Sequence, residues 1–216
     1  MSYLIKKAVA PVKISDAWDS PAWNAAVPLK LEYVFDKSSA HRPPTTVKML
    51  YDDHFLYGLF LVEDRYVRAV QTEDQSGVCG DSCVEFFVQP ATDERYFNFE
   101  INCGGTLLLY HVRHCRKGDY DKIPESDLAT IQRFHTMPKV VNPEITEKTT
   151  WRLGFAIPLS FFVKYSGIDP KLSGQVWRAN FTKCADKTSH PHWLSWRKLS
   201  KLDFHLPGEF GEIVFE

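Results

Sequence analysis

Apolar and polar residues alternate along nine stretches of this chain, and the alternation is sharpest in DSCVEFFVQPATDERYFNFEIN, from Asp81 to Asn102. Successive side chains of an extended strand point to opposite faces. Val84, Phe86 and Val88 therefore share one side of a first strand, with Cys83, Glu85 and Phe87 on the other. In a second strand Phe97, Phe99 and Ile101 share a side, and Tyr96, Asn98, Glu100 and Asn102 share its opposite. One face is apolar throughout, while the other carries carboxylates and amides.

Comparable runs predict strands at 45–51, 55–64, 82–88, 95–102, 106–114, 130–136, 150–157, 176–184 and 211–216. Short Gly, Pro and Asp turns separate them. Asp52-Asp53-His54 is short enough for a hairpin, and Gly104-Gly105 supplies the positive φ angles of another tight turn. Only PLSFFVKYSG at 158–167 reads as a helix, short and with Pro158 near its start. Without helices between strands, a parallel α/β sheet is excluded. The expected fold is all-β, an antiparallel β-sandwich with one short helix, forming a single domain over 1–216. The segments 116–127 and 183–207 predict long loops, where binding residues concentrate.

Composition adds a large core to this pattern: 44% of the 216 residues are hydrophobic, with six Trp, nine Tyr and fifteen Phe. A net charge of −1, from 26 basic and 27 acidic residues, leaves no electrostatic footprint for nucleic acid or an anionic membrane. No stretch is apolar enough to be a signal h-region or a membrane span. The five cysteines are odd in number and irregularly spaced, which favours reduced thiols. The expected location is cytoplasmic for the chain as written, and secreted if a signal has been removed.

Candidate chemistry gathers on the polar strand faces. On VWRANFTKC, Arg178 and Asn180 point to the side opposite Trp177, Ala179, Phe181 and Lys183. If that strand joins the first pair, Glu85, Asn98, Glu100, Arg178 and Asn180 converge on a patch suited to hydroxyl groups. A pairing of Glu85 or Glu100 with Arg178 in a buried ion pair is the alternative. Trp193 and Trp196, in HPHWLSWRKL, are placed in a loop where a flat ring can cover the C–H face of a sugar. Trp18 and Trp23 instead anchor the N-terminal segment. His111, His114, His190, His192 and His205 match no zinc spacing. Asp52, Asp53, Glu63, Asp64 and Asp81 offer oxygen ligands for calcium without forming a recognised loop. Glu85 with Glu100 is the best pair for glycoside hydrolysis, but no nucleophile motif or nucleotide loop is present.

VKMLYDDHFLYGLFLVED, GDSCVEFFVQP, RYFNFEINCGG, WRLGFAIPLSFF, VWRANFTKC, HWLSW and FHLPGEFGEIVF follow one another in an order and spacing that resemble the family 9 carbohydrate-binding modules. The resemblance implies a jelly-roll-like sandwich that binds a mono- or oligosaccharide without catalysis. Its members often accompany glycoside hydrolases, and some bind calcium. It places Glu85 at the motif glutamate, Arg178 and Asn180 at the Arg and Asn of the late strand, and Trp196 at the tryptophan of the late loop. Where xylanase-linked members carry a tryptophan six residues before the motif glutamate, this chain has Cys79. The expected ligand-binding set is Glu85, Asn98, Glu100, Arg178, Asn180, Trp193 and Trp196. A glycoside hydrolase and a ligand-free interaction domain of the same fold are the alternatives.

Overall fold

Each alternating stretch forms a strand in the computed structural model, which describes residues 2–90 and 93–216. In chain order these are β1 (Tyr3–Lys7), β2 (Leu29–Lys30), β3 (Tyr33–Val34), β4 (Thr45–Tyr51), β5 (Phe55–Asp64), β6 (Val67–Ala69), β7 (Cys83–Gln89), β8 (Tyr96–Asn102) and β9 (Leu107–Leu108). They continue as β10 (Tyr110–His114), β11 (Asp119–Lys122), β12 (Gln132–His135), β13 (Val141–Ile145), β14 (Thr149–Pro158), β15 (Val176–Cys184), β16 (Trp193–Ser195) and β17 (Gly211–Phe215). The stretch at 106–114 is split because the Gln75 side chain accepts from Leu109 N–H at 3.0 Å and donates to its carbonyl at 3.1 Å, replacing the ladder there.

The helix expected at 158–167 is α3 (Leu159–Ser166), preceded by the one-turn helices α1 (Pro21–Asn24) and α2 (Glu125–Leu128). These two carry no amphipathic repeat of their own. They are ordered by burying single side chains, Trp23 and Leu128.

The strands build a front sheet in the order β11-β10-β8-β7-β15-β17-β1 and a back sheet in the order β1-β4-β5-β14-β12. The pairings among these strands are antiparallel except those of β1. Its first residues run parallel to β17 and its last two parallel to β4, so it passes from one sheet to the other and closes the sandwich along that side. The antiparallel sandwich expected from the sequence is present, with β1 as its parallel strand.

Between the sheets, Phe86 stacks on Phe181 (ring centroids 5.1 Å apart) and on Phe155 of the back sheet (5.8 Å). Val84, Val88, Phe97, Phe99 and Ile101 join this core, on the apolar face read from the sequence. Gly58 leaves room for the Phe155 ring, since a Cβ there would lie 2.2 Å from it. Trp23, with Leu59 and Ala156, packs on the outer face of the back sheet, as expected of an anchor. Outside the front sheet lies a further cluster containing Cys83, Phe87, Tyr96, Cys184, Phe204 and Phe210. The strands β7 and β8 are consequently buried on both faces.

One ion pair crosses the sandwich. Lys183 of β15 points inward, and its Nζ lies 3.5 Å from Asp64 Oδ2 of β5, both side chains being wholly buried. Burying two charges costs several kcal/mol per ion unless further polar contacts compensate. Here Lys183 Nζ also donates to His192 Nε2 at 2.8 Å and to the Cys184 carbonyl at 3.0 Å. Asp64 accepts from Arg65 N–H at 2.8 Å and from Trp151 Nε1 at 3.3 Å, and its Oδ1 is 2.8 Å from His41 Nε2. Removing one partner leaves the other charge unpaired. Asp64→Asn is expected to cost about 3–5 kcal/mol in urea unfolding. The double change Asp64→Asn/Lys183→Met should cost less than the sum of the two single changes; strict additivity would show that the charges do not act as a pair.

Candidate functional site

Strand alternation turns Glu85, Asn98, Glu100, Thr182 and Cys184 to the outer face of the front sheet. Glu85 stands opposite Glu100 on β8 and opposite Thr182 on β15. The chain leaving β15 folds back over this face, so the polar side chains floor a cavity of about 300 Å³. Glu85, Glu100, Phe87 and Cys184 form its floor, and Trp193, Phe204 and His205 its walls. Cys79, Asp186, Arg116, Leu202 and Asp203 complete the lining.

The polar groups are held in place individually. Glu85 Oε2 accepts from Thr182 Oγ1 at 2.5 Å, and its Oε1 accepts from Cys184 Sγ at 3.1 Å. Glu100 Oε1 accepts from Asn98 Nδ2 at 2.8 Å, while Asn98 Oδ1 accepts from Tyr110 N–H at 2.8 Å. Trp193 is half-buried, and its Nε1 donates to Asp186 Oδ1 at 2.7 Å, which fixes the indole as a wall. Arg116 grips Asp203 through Nη2 at 2.6 Å and Nε at 3.3 Å. His205 Nδ1 is 2.9 Å from the Tyr96 hydroxyl.

Burial dominates the electrostatics. It pushes Glu85 up to about 7. Glu100 is raised well above the ordinary glutamate range by burial and by the facing Glu85 carboxylate. His205 is driven down to about 4, first by burial and then by Arg116, so its ring is neutral at physiological pH.

Of the side chains singled out in the sequence, Glu85, Glu100 and Trp193 line the cavity, and Asn98 lies behind Glu100 as its hydrogen-bond donor. Three do not reach it. Arg178 is exposed farther along β15 and donates to the carbonyls of Gly208 and Phe210 at 2.9 and 3.0 Å, tying down the turn after the covering loop. No ion pair between Arg178 and Glu85 or Glu100 is found among the described residues. Asn180 is fully buried, and its Oδ1 accepts from the backbone N–H groups of Phe181 and Arg197, each at 3.0 Å.

Trp196 is a correction of a different kind. It is only 5% exposed and packs in the core against Tyr3 and Phe181. Gly211 admits its ring, since a Cβ there would lie 2.6 Å from it. The three-residue spacing from Trp193 spans the short strand β16, whose pairing with β15 turns the two indoles into different environments. The contributions of Arg116, Asp186, Asp203, Phe204 and His205 were not read from the sequence. The only signal for them was the long-loop character of 116–127 and 183–207.

The acidic residues considered for calcium do not build an oxygen cage. Asp52 accepts from His54 and Phe55 N–H and from the Tyr57 hydroxyl, capping the β4–β5 turn. Asp53 pairs with Lys7, and Asp64 with Lys183. Asp81 Oδ2 accepts from Val70 N–H, Gln71 N–H and Asn102 Nδ2, with Arg68 Nη1 3.5 Å from its other oxygen. Asp52, Asp53, Asp64 and Asp81 each already face donors or cations, so these four do not fit the ion. The donor atoms of two other groups lie within 4.8 Å of one another: His41, Asp64 and His192, and Cys83, Glu85 and Cys184. In the first, Lys183 Nζ already supplies the cation.

The sequence pattern of Carbohydrate-binding family 9 matches residues 24–215, nearly the whole chain. The chain belongs to this family. It is also similar to the crystal structure of a Bacteroides uniformis protein assigned to carbohydrate binding, at 30% identity with a TM-score of 0.86, covering 100% of this chain and 99% of that one. Two structures of a family 9 module from Caldicellulosiruptor kristjanssonii share the fold at lower identity. The one in complex with cellotriose is 15% identical with a TM-score of 0.68, covering 100% of this chain and 94% of that one. The one in complex with glucose is 14% identical with a TM-score of 0.62, covering 99% and 95%. No curated protein matches the chain.

Two expectations follow for this family 9 domain. Glu85 and Glu100 hold protons to higher pH when folded than when unfolded, so their contribution to stability falls as pH rises above about 4.5, that of Glu85 through about 7 and that of Glu100 through its own raised value. His192, lowered to about 3, and His205 act in the opposite sense, but that effect is complete above about 6.5. Between pH 6.5 and 8 the melting midpoint should therefore fall. Glu100→Gln should remove much of that slope and raise the midpoint at pH 8, by roughly 2–4 °C for each kcal/mol regained in a chain of this size. An unchanged slope would contradict the raised pair. Separately, Trp196→Ala should destabilise by about 3–5 kcal/mol in guanidinium unfolding, and Trp193→Ala by much less.

Proposed function

We propose that this domain is a non-catalytic saccharide-binding module and that its sugar site is the cavity between the front sheet and the covering loop. The observation that carries this reading is the pairing, within one open cavity, of a fixed aromatic wall with a fixed polar floor. Trp193 offers an apolar plate for the C–H face of a pyranose. Glu85 and Glu100 present oxygens whose positions Thr182, Cys184 and Asn98 have already set, so little ordering cost remains for a hydroxyl that binds there. Asp186 and His205 are the further polar groups within reach.

Two neighbouring facts support it. The family is a carbohydrate-binding one, and the two Caldicellulosiruptor kristjanssonii structures hold cellotriose and glucose. Where the resemblance would put a second tryptophan the lining has Cys79, which leaves Trp193 as the indole of the cavity. A single plate argues for a short ligand or a chain end over a long internal segment. A role beside polysaccharide-degrading enzymes is consistent with this.

Titration calorimetry with glucose and cellotriose, backed by a glycan array, tests the reading. Trp193→Ala should weaken binding at least about tenfold, the loss of about 1.4 kcal/mol, with the fold intact by circular dichroism. Absence of binding to any saccharide would overturn the proposal. The facing carboxyls also meet one requirement of glycoside hydrolysis, an acid raised toward neutrality. Turnover of a chromogenic glycoside that Glu85→Gln abolishes would replace binding by that activity.

A further inference from the structure

Two of the five cysteines, Cys83 and Cys184, meet Glu85 at the cavity floor, and saccharide recognition uses none of their chemistry. Cys83 and Glu85 are two apart on β7 and so share its outer face, while Cys184 stands opposite Cys83 on β15. The two Sγ atoms and a Glu85 oxygen lie within 4.8 Å of one another, with Cys184 Sγ 3.1 Å from Glu85 Oε1. Three donors around one tetrahedral ion, with bonds of roughly 2.0–2.3 Å, stand about 3.5–4 Å apart. The sheet ladder thus holds three donors near the spacing that such an ion requires.

The charge around these donors is one-sided. Arg116, the basic side chain of the lining, is engaged by Asp203, and the His205 ring is neutral. Lys183 projects from the opposite face of β15 to Asp64. Among the described residues Glu85, Glu100 and the two thiols face no further cation; burial raises Glu85, Glu100 and Cys83, the last to about 12, and Cys184 is raised first by its hydrogen bond with Cys83 and then by burial. Access is available, because Glu85 and Cys184 border the cavity.

We infer that Cys83, Glu85 and Cys184 bind a thiophilic divalent cation of the zinc and cadmium class at the cavity floor, with the fourth coordination position facing the cavity. Binding forms two metal–sulfur bonds and one metal–oxygen bond and releases to solvent the two thiol protons together with the proton of any Glu85 carboxyl still protonated, with no change of oxidation state. Hard cations such as calcium and magnesium, which prefer oxygen, are disfavoured by the two sulfurs. The inference goes beyond the saccharide reading and stands without it.

The test is titration of the reduced, chelator-treated protein with cadmium, followed by the thiolate-to-metal absorption in the ultraviolet. One equivalent should saturate the band, with an intensity for two thiolates, release of about two protons per ion at pH 8 rising toward about three below pH 7 as Glu85 gives up its own, and displacement by zinc. Cys184→Ser should abolish the band, Glu85→Gln should weaken binding about 10- to 100-fold, and Cys115→Ser, at a half-exposed thiol outside the cluster, should leave both unchanged. If Cys184→Ser does not fold, Glu85→Gln carries the test. No band at one equivalent of cadmium, a band that survives Cys184→Ser, or equal competition by calcium would overturn the inference.

Discussion

The central strands of the front sheet must bury both of their faces, and the rest of the molecule follows from that constraint. An antiparallel sheet commonly packs one face and leaves the other in water. Here the inner faces of β7, β8 and β15 carry the Phe86, Phe99 and Phe181 rings of the core, yet Glu85, Asn98, Glu100 and Thr182 on the outer faces are buried as well. Buried polar groups require partners. The chain meets this requirement in pairs, Thr182 with Glu85 and Asn98 with Glu100, and by laying the segment from Cys184 to Phe210 across the face. The space left beneath that segment is the cavity.

The covering segment is secured from the far side of the sheet. Lys183 projects into the sandwich toward Asp64 of the back sheet, and the same ammonium holds His192, one residue before the cavity wall Trp193. His192 Nδ1 donates in turn to the His190 carbonyl. A charge pair inside the core, worth little as net stability, thereby fixes where the wall of the site stands. On the other flank, Arg178 anchors the carbonyls of Gly208 and Phe210. Two basic residues of β15, on opposite faces, thus clamp the two ends of one loop.

The cavity joins a polar floor to walls of mixed chemistry. Cys79 is part of its lining, Trp193, Phe204 and His205 stand around it, and Trp196 lies in the core. The floor is richer in acids and thiols than hydroxyl recognition requires. Its carboxyls are stabilised in their protonated forms by burial and mutual proximity, so a cation entering the cavity would displace protons as it bound.

What the sequence determined by itself was the period-two alternation. Nine strands, the turns at Asp52–His54 and Gly104–Gly105, the α3 helix and the two-faced character of 81–102 were legible, because each depends on neighbours within a few residues. The inward direction of Lys183 followed from the same parity. Strands β1, β2, β3, β6, β11, β13 and β16 were not legible, since they are two to five residues long and exist through their pairing with other strands. The tertiary structure alone decided which loop residues reach the outer face. Trp193 and Trp196 look equivalent in HPHWLSW, yet the β16–β15 pairing sends one to the cavity and the other against Tyr3 and Phe181. Arg178 and Asn180 have the right parity but lie too far along β15, and parity specifies a face without specifying where along it a cavity opens.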